Sequence, residues 1–240
     1  LQDIRLERSW VTIGSFDGVH LGHQSVLKRT VAEAKARAVE SVVVTFDSHP
    51  RSILSPGETP KSITSLEHRL GLFKRCGVDV CLAIPFSPAL ASMRAEQFVR
   101  EFLVASLGMQ VAVMGHDTHF GKGREGNSAL LERLSEDCDF SVIELPRLWV
   151  DGTPVSSTAI RQAVAAGELE KAAAMLGRPV SVLGSVVGGK GLARQFGFPT
   201  INLDRHHELS PPRGVYFTRA RIGEESWPSI TNIGHRPTVD

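Results

Sequence analysis

Two histidines, His20 and His23, lie three residues apart in the run GSFDGVHLGHQ, which follows the apolar residues VTI. The apolar run predicts the end of a buried strand, and apolar residues at helical spacing predict a helix from about Leu21. Both imidazoles would then lie at a helix N-terminus, where free N–H groups and the helix dipole favour anions. Two imidazole donors at such a place suit nucleotidyl transfer, which is catalysed mainly by positioning and by stabilising charge on the transferred phosphorus.

Glycines shape the same run. Gly14 predicts a close approach of the backbone to a ligand, and Asp17-Gly18 is a turn signal. Gly22 removes bulk between the histidines, so that both rings can approach one phosphate from the same side. The alternative is that the two histidines have no catalytic role and simply occupy a turn and a helix start, because short patterns such as HxGH arise by chance.

The eleven-residue run resembles the first motif of the bacterial bifunctional riboflavin kinase/FMN adenylyltransferases, within the HxGH nucleotidyltransferase superfamily. The HxGH alone indicates only the superfamily, and the surrounding FDGVH and Q narrow it. The resemblance implies transfer of AMP from ATP to FMN, with His20 and His23 as catalytic residues. The residues that it implies for ATP binding in this run are Gly14, Phe16, Asp17, Gly18 and Gly22.

A second polar cluster is the run VSSTAIRQAV, at residues 155–164. Three hydroxyls at a helix start can cap free N–H groups or hold a phosphate, and a forked arginine follows one turn later. An ordinary N-cap followed by a surface arginine is the commoner reading of this pattern alone. After an HxGH in the same domain, it resembles the family's second phosphate clamp. The resemblance implies Ser156, Ser157 and Thr158 for ATP binding and Arg161 for catalysis.

Two loops are expected to contact the flavin. In TFDSHPRSIL, Phe46 can stack on a ring while Pro50 keeps His49 extended. The glycine-rich GHDTHFGKGREGN can fold around a polyanion, although a solvent loop has the same composition. The family uses both segments at its flavin site, although Ser48, Thr118 and His119 depart from its usual residues. The resemblance therefore implies FMN binding by Phe46, His49, Pro50, Asp117, Phe120 and Gly121.

The first part of the chain alternates strand and helix patterns. The strands are predicted at 41–46, 78–84, 110–114 and 140–145, and the helices at 65–76, 95–107 and 128–134. This alternation predicts an α/β fold, a Rossmann-like doubly wound parallel sheet with ligands at the carboxyl ends of its strands. We expect it to occupy residues 1–177.

From Arg178 the pattern changes to strand-like runs at 180–187, 200–203, 214–222 and 229–233, which predict an all-β, barrel-like domain over 178–240. Its run GFPTINL resembles the G-x-P-T-A-N signature of the riboflavin kinase module, although a hairpin with an exposed Thr/Asn edge looks the same. The resemblance implies that the domain is truncated at its C-terminus. The residues implied for nucleotide and Mg²⁺ are Gly189, Lys190, Gly191, Thr200 and Asn202, with Thr200 as the metal ligand.

Composition agrees with a cytoplasmic enzyme. The chain has 240 residues, of which 42% are hydrophobic and 22% charged, enough for one large or two ordinary domains. A net charge of +1 argues against a general nucleic-acid or membrane surface, and no apolar stretch is long enough to span a bilayer. Three cysteines without a CxxC pair argue against a disulfide framework and against a zinc site.

The function predicted from the sequence is FAD synthesis, with ATP, FMN and riboflavin as substrates and Mg²⁺ as the cofactor. One alternative is a different HxGH adenylyl- or cytidylyltransferase, which would not explain FPTINL. The other is a non-catalytic protein that binds a flavin or a nucleotide. The sequence does not indicate an oligomeric state.

Overall fold

A five-stranded parallel sheet forms the centre of the molecule. The computed structural model describes residues 4–48, 60–188, 197, 200–206 and 208–234. The strands are β1 (Ser9–Ile13), β2 (Glu40–Phe46), β3 (Val80–Ile84), β4 (Met109–Gly115) and β5 (Ser141–Leu145), in the order β3-β2-β1-β4-β5. All strands are parallel, but the direction in which successive strands are added to the sheet reverses between β1 and β4, and ligands bind at such a switch point in doubly wound folds. The predicted Rossmann-like sheet is confirmed.

Helices cover both faces of this sheet. They are α1 (Leu21–Ala36), α2 (Leu66–Arg75), α3 (Pro88–Ser92), α4 (Ala95–Gln97), a π-helix (Phe98–Val104), α5 (Ser128–Cys138), α6 (Ser157–Ala166) and α7 (Leu169–Leu176). Successive residues of β2 point to opposite faces. Val43 packs with Leu27 and Phe73, whereas Val42 and Val44 pack in the cluster that contains the π-helix. Both faces of the sheet are therefore buried, as a parallel sheet requires.

The helix predicted at 95–107 is present over residues 95–104, but most of it is not α-helical. Only Ala95–Gln97 is α-helical, and the following turns are a π-helix in which the Ala105 amide donates to the Arg100 carbonyl, an i→i+5 bond. Over two turns, the same apolar positions are compatible with an α-helix, which has i→i+4 hydrogen bonds, and with a π-helix, which has i→i+5 hydrogen bonds. The sequence pattern could not distinguish them.

A short hairpin that the sequence analysis did not predict leads from β5 to α6. It consists of β6 (Trp149–Val150) and β7 (Thr153–Pro154). Its turn residues, Asp151 and Gly152, both have positive φ values, of 46° and 72°. Asp-Gly is the sequence signal of a type I′ turn, so the signal was present and was not used.

The second part of the chain is β-rich, as predicted. Its described residues form two antiparallel ribbons, β8 (Ser185–Val187) with β9 (Asn202–Asp204), and β10 (Gly214–Ile222) with β11 (Glu225–Ile233). The side chains of Val215, Phe217 and Ile230 are largely exposed on one face of the second ribbon. Closure into a barrel, truncation of this domain and the boundary at 177/178 stay predictions.

Candidate active site

His20 is the N-cap of α1. Its Nδ1 accepts a hydrogen bond of 3.2 Å from the backbone N–H of His23, in the manner of a capping side chain. A ring nitrogen that accepts carries no proton, so the proton of the neutral ring lies on Nε2. The cap therefore fixes the tautomer of His20 and leaves Nε2–H as a donor.

The two imidazoles are stacked on each other. Their ring centroids are 3.5 Å apart at an interplanar angle of 16°, and the Phe16 ring packs edge-on against His23 at 5.2 Å. A Cβ at Gly22 would lie 3.2 Å from Cε1 of His20, so glycine leaves space for the ring. Among the described residues nothing bonds to the buried Nδ1 of His23. The sequence analysis predicted the histidine pair but not the stacking.

Both histidines are neutral at pH 7. Burial lowers the pKa of His20 to about 4, helped by Arg178 and Arg161, although Asp17 acts in the opposite direction. Burial, His20 and Arg69 hold the pKa of His23 well below its usual range. The imidazoles are therefore dipolar donors, and the positive charge of the site comes from arginines.

The carboxylate of Asp17 is occupied by protein groups. It accepts from the backbone N–H groups of Ile63 (3.1 Å) and Thr64 (3.0 Å), and Arg161 donates to it from Nη2 at 2.6 Å. Its side chain is 5% exposed. Asp17 is better described as the group that holds Arg161 than as a direct ATP ligand.

The N-terminus of α6 lies against the histidine loop. Ser156 caps the helix by accepting from the Ala159 N–H, and the Ser157 hydroxyl donates to the Asp17 carbonyl at 2.8 Å. Thr158 is exposed in the first turn. Arg161 donates from Nε to the Lys61 carbonyl, and its Nη1 makes no hydrogen bond within the described residues. The structure thus brings the two predicted anion-binding motifs together.

Three residues predicted to bind ATP shape the loop instead of facing open space. Phe16 is 3% exposed and contacts His23 and Phe73. A Cβ at Gly14 would meet the Phe16 ring at 3.3 Å, so the expected collision is with this ring rather than with a ligand. Gly18 has a φ of 83° and lies against Ile63, where a side chain would be strained and crowded.

An apolar cleft of about 330 Å³ lies at the carboxyl ends of the strands. Phe46 and Phe86 meet edge to face in it, with ring centroids 5.3 Å apart. Of the predicted flavin-binding residues it contains Phe46, Phe120 and Gly121, and it adds Ile13, Phe86, Leu90, Ala91, Met93, Phe98, Gly123 and Arg124. Its size and lining are typical of a site for a planar organic ligand.

One further described residue of the flavin prediction, Asp117, is not among those that line this cleft. Asp117 pairs with Arg147 on the surface, with its two carboxylate oxygens 2.6 and 2.5 Å from Nη2. A short surface ion pair satisfies this carboxylate, so the structure gives no contact between Asp117 and the cleft. His49 and Pro50 lie outside the described residues.

Two arginines that the sequence analysis missed, one buried and one half-buried, hold the loops of the site. Arg69, 6% exposed, donates from Nη1 to the Ser15 carbonyl and from Nη2 to the Phe46 carbonyl. Arg178 donates to the carbonyls of Gly18 (2.7 Å) and Val19 (3.1 Å). Burial, followed by the charge of Arg75, lowers the pKa of Arg178 to about 10, so it stays charged at pH 7.

A sequence signal existed for one of them. Arg69 falls on the same helix face as Leu72 and Phe73, and a charged residue on an apolar face is unusual. Arg178 follows the last helix in a segment with no periodic pattern. Among the described residues, these arginines and Arg161 are the cations that act on the histidine pair, and Asp17 is the carboxylate that acts on it. The site is therefore electropositive and suits a polyphosphate.

Comparisons with protein families identify the family of this chain. The family model described as FAD synthetase matches residues 3–159, and the model described as riboflavin kinase matches residues 176–240. The chain belongs to the FAD synthetase family. The first match contains the histidine pair and the apolar cleft, whereas Arg161 and all of α7 except its last residue lie between the two matches.

Curated relatives match nearly the whole chain. The bifunctional riboflavin kinase/FMN adenylyltransferase of Escherichia coli (strain K12) is 36% identical over 230 residues, which cover 95% of this chain and 74% of that protein. The protein of that name from Pseudomonas fluorescens is 40% identical over 228 residues, covering 95% and 73%. A crystal structure described as a macrolide-efflux protein from Streptococcus pneumoniae superposes with a TM-score of 0.83 at 30% identity, covering 99% of this chain and 78% of that one. Within the described part of our FAD synthetase chain, no helix is long and apolar enough to cross a membrane.

The predicted kinase residues are only partly described. Asn202 begins β9 and is half-buried, whereas Thr200 is exposed just before the strand. Gly189, Lys190 and Gly191 lie outside the described residues. The nucleotide and metal roles in the riboflavin kinase part therefore stay predictions.

The buried histidines predict a pH dependence of stability. The pKa of His20 is about 4 in the folded chain and has its ordinary value of 6.5 in the unfolded chain. Between these two pH values His20 is protonated in the unfolded chain and neutral in the folded chain. Stability is then complete above pH 6.5 and falls as the pH drops towards 4, by roughly 3 kcal/mol for this group. Urea unfolding at several pH values measures it.

A capping substitution isolates this effect. His20→Asn keeps an N-cap and removes the titrating ring, so part of the acid loss should disappear. His116→Gln, at an exposed histidine, should leave the loss unchanged. Equal acid losses in wild type and His20→Asn would show that His20 is not the group responsible.

Proposed function

We propose that the site around His20 and His23 transfers AMP from ATP to FMN, giving FAD and pyrophosphate, and that the second part phosphorylates riboflavin to FMN. Membership of the FAD synthetase family, the riboflavin kinase match and relatives named for both activities support this function. The observation that carries the first activity is a neutral imidazole pair among arginines at the switch point, beside an apolar cleft.

The reaction needs no covalent enzyme intermediate. A phosphate oxygen of FMN attacks the α-phosphorus of ATP, the bond from that phosphorus to the bridging oxygen breaks, and pyrophosphate leaves. His20 donates from Nε2–H to the transferring phosphate, and His23 stabilises the same charge from beside it. Arg161, through its unbonded Nη1, and the N–H groups at the start of α6 hold the β- and γ-phosphates.

FMN places its ring system in the apolar cleft. Phe46, Phe86 and Phe120 offer aromatic surface there, and a flavin ring is planar, with apolar faces and one apolar, dimethylbenzene edge. Ile13, the last residue of β1, lines the cleft and is followed by the histidine loop. The cleft and the anion site are therefore adjacent, as a transfer between FMN and ATP requires.

We propose that Mg²⁺ enters the site bound to ATP. The described residues contain no group of three His, Cys, Asp or Glu side chains that could hold a metal, and Asp17 is occupied by protein donors. The ion would be carried by the ATP phosphates, whose charge it offsets. No step of the proposed mechanism depends on a protein-bound metal.

The test is chromatography of flavins after incubation with Mg²⁺-ATP and either FMN or riboflavin. We expect FAD from FMN, and FAD from riboflavin if the kinase part of the sample is active. No FAD from FMN would reject the proposal and leave the other HxGH transferases or a binding-only protein.

A pair of matched variants tests the flavin cleft in the same assay. Phe86→Ala removes an aromatic wall and should raise KM for FMN by about tenfold without changing KM for ATP. Phe217→Ala, at a ring that is 95% exposed in the second part, should change neither. An unchanged KM for FMN in Phe86→Ala would place the flavin elsewhere.

A further inference from the structure

A carboxylate from the second part of the chain is buried against the first part. Glu208 is 2% exposed, and its Oε1 accepts from the backbone N–H of Ser65 at 2.7 Å. The ring Nδ1 of His68 lies 3.0 Å from Oε1 and 3.2 Å from Oε2. Ser65 is the N-cap of α2, so Glu208 supplements the cap of a helix to which it does not belong.

The neighbours of Glu208 strengthen this contact. The Leu209 N–H donates to the Ser62 carbonyl at 2.7 Å, and the Leu183 N–H donates to Oε2 of Glu208 at 2.8 Å. An isolated parallel β-bridge between Ser62 and Glu208 accompanies these bonds, so the riboflavin kinase part is tied to residues 62–65. Burial opposes the charge of Glu208, yet the bonds from His68, Ser65 and Leu183 outweigh it and lower the pKa of the carboxyl.

Residues 62–65 also hold the anion site. The N–H groups of Ile63 and Thr64 donate to the Asp17 carboxylate, and Asp17 in turn binds Arg161. The Thr64 hydroxyl accepts from the Gly18 N–H at 2.8 Å. One segment of four residues therefore faces Glu208 on one side and the histidine loop on the other.

We propose that Glu208 is a positioning residue for the adenylyl-transfer site, acting through residues 62–65 and Asp17 on Arg161. This inference rests on the proposed function, in which Arg161 holds the β- and γ-phosphates of ATP. None of the described residues that line the apolar cleft belongs to this segment. Loss of Glu208 should therefore disturb ATP and spare FMN.

Steady-state kinetics of FAD formation by the full chain test the proposal. Glu208→Gln places an amide N–H₂ against a backbone donor, so we expect KM for ATP to rise by about tenfold, with a lower kcat and an unchanged KM for FMN. Glu224→Gln, the same change at a side chain that is 98% exposed in the β10–β11 hairpin, should match wild type. Glu208→Asp, which keeps the charge, should recover part of the ATP affinity.

A merely structural role gives a different result. If Glu208 only stabilises the fold, Glu208→Gln lowers kcat in proportion to the folded fraction and leaves both KM values unchanged, which would overturn the proposal. Should that variant not fold, His68→Gln removes the ring shared by both carboxylate oxygens and must give the same selective rise in KM for ATP. Wild-type protein that makes no FAD would instead reject the proposed function itself.

Discussion

His23→Ala should lower kcat for FAD formation by roughly 100- to 1000-fold while KM for ATP changes little. The ring lies against His20 at 3.5 Å and is held from the other side by Phe16, so its position is fixed before substrate binds. A neutral donor contributes most when charge develops on the transferred phosphorus, whereas ATP in the ground state is held by arginines and helix N–H groups. The loss should therefore appear in the chemical step.

The measurement is a comparison of wild type, His23→Ala and His116→Ala, with kcat and KM determined for both substrates. His116 is an exposed histidine paired with Glu144, so its removal controls for the loss of any imidazole. Circular dichroism checks that His23→Ala remains folded. An unchanged kcat in His23→Ala would contradict the catalytic assignment.

Arg69→Met should damage both substrate sites at once. The guanidinium joins the Ser15 carbonyl of the histidine loop to the Phe46 carbonyl at the wall of the flavin cleft, and it also donates to the Thr45 hydroxyl. Burial lowers the pKa of Arg69, and Asp17 opposes this shift. Losing the donors removes three hydrogen bonds, to the part-buried carbonyls of Ser15 and Phe46 and to the buried Thr45 hydroxyl. This loss outweighs the relief of a buried charge and costs roughly 2–4 kcal/mol of unfolding free energy.

Kinetically, Arg69→Met should raise KM for ATP and for FMN together and lower kcat/KM by about 100-fold. Arg69→Lys keeps the charge but cannot reach all three acceptors, so it should be folded and intermediate. Arg133→Met, at an exposed arginine, is the matched control. A selective change in one KM would show that Arg69 serves a single site.

The sequence indicated which residues come together at the candidate site, but it did not indicate most of the residues that hold them in place. The spacing of His20, Gly22 and His23 indicated a phosphate site, and the hydroxyl run before Arg161 indicated a second one. Their meeting follows from the strand order, because β1 and the helix start at Ser157 converge at one edge of the sheet. The hydrophobic periodicity and the turn residues of the sequence do not by themselves determine the order of the strands in the sheet.

The residues that were missed act through tertiary contacts. Arg178 and Glu208 show nothing unusual in their local sequence, and their roles depend on carbonyls and amides far away in the chain. The flavin cleft is similar, since Phe86 and Leu90 come from a segment with no motif. The protonation state of the two histidines also depends on their burial, which cannot be predicted from the spacing of residues in the sequence.

Val19 adopts a φ of 40°, a left-handed conformation that is costly for a β-branched residue. Gln24 and Arg178 both donate to its carbonyl, so neighbouring elements hold the strained backbone in place. The histidine loop is thus ordered when the protein folds, so its ordering should not reduce the free energy of ATP binding. Glycine at position 19 would relieve this strain, but Val19 is 1% exposed in the cluster that contains Leu27 and Phe73, so the cavity left behind would destabilise the fold by more than the relief stabilises it.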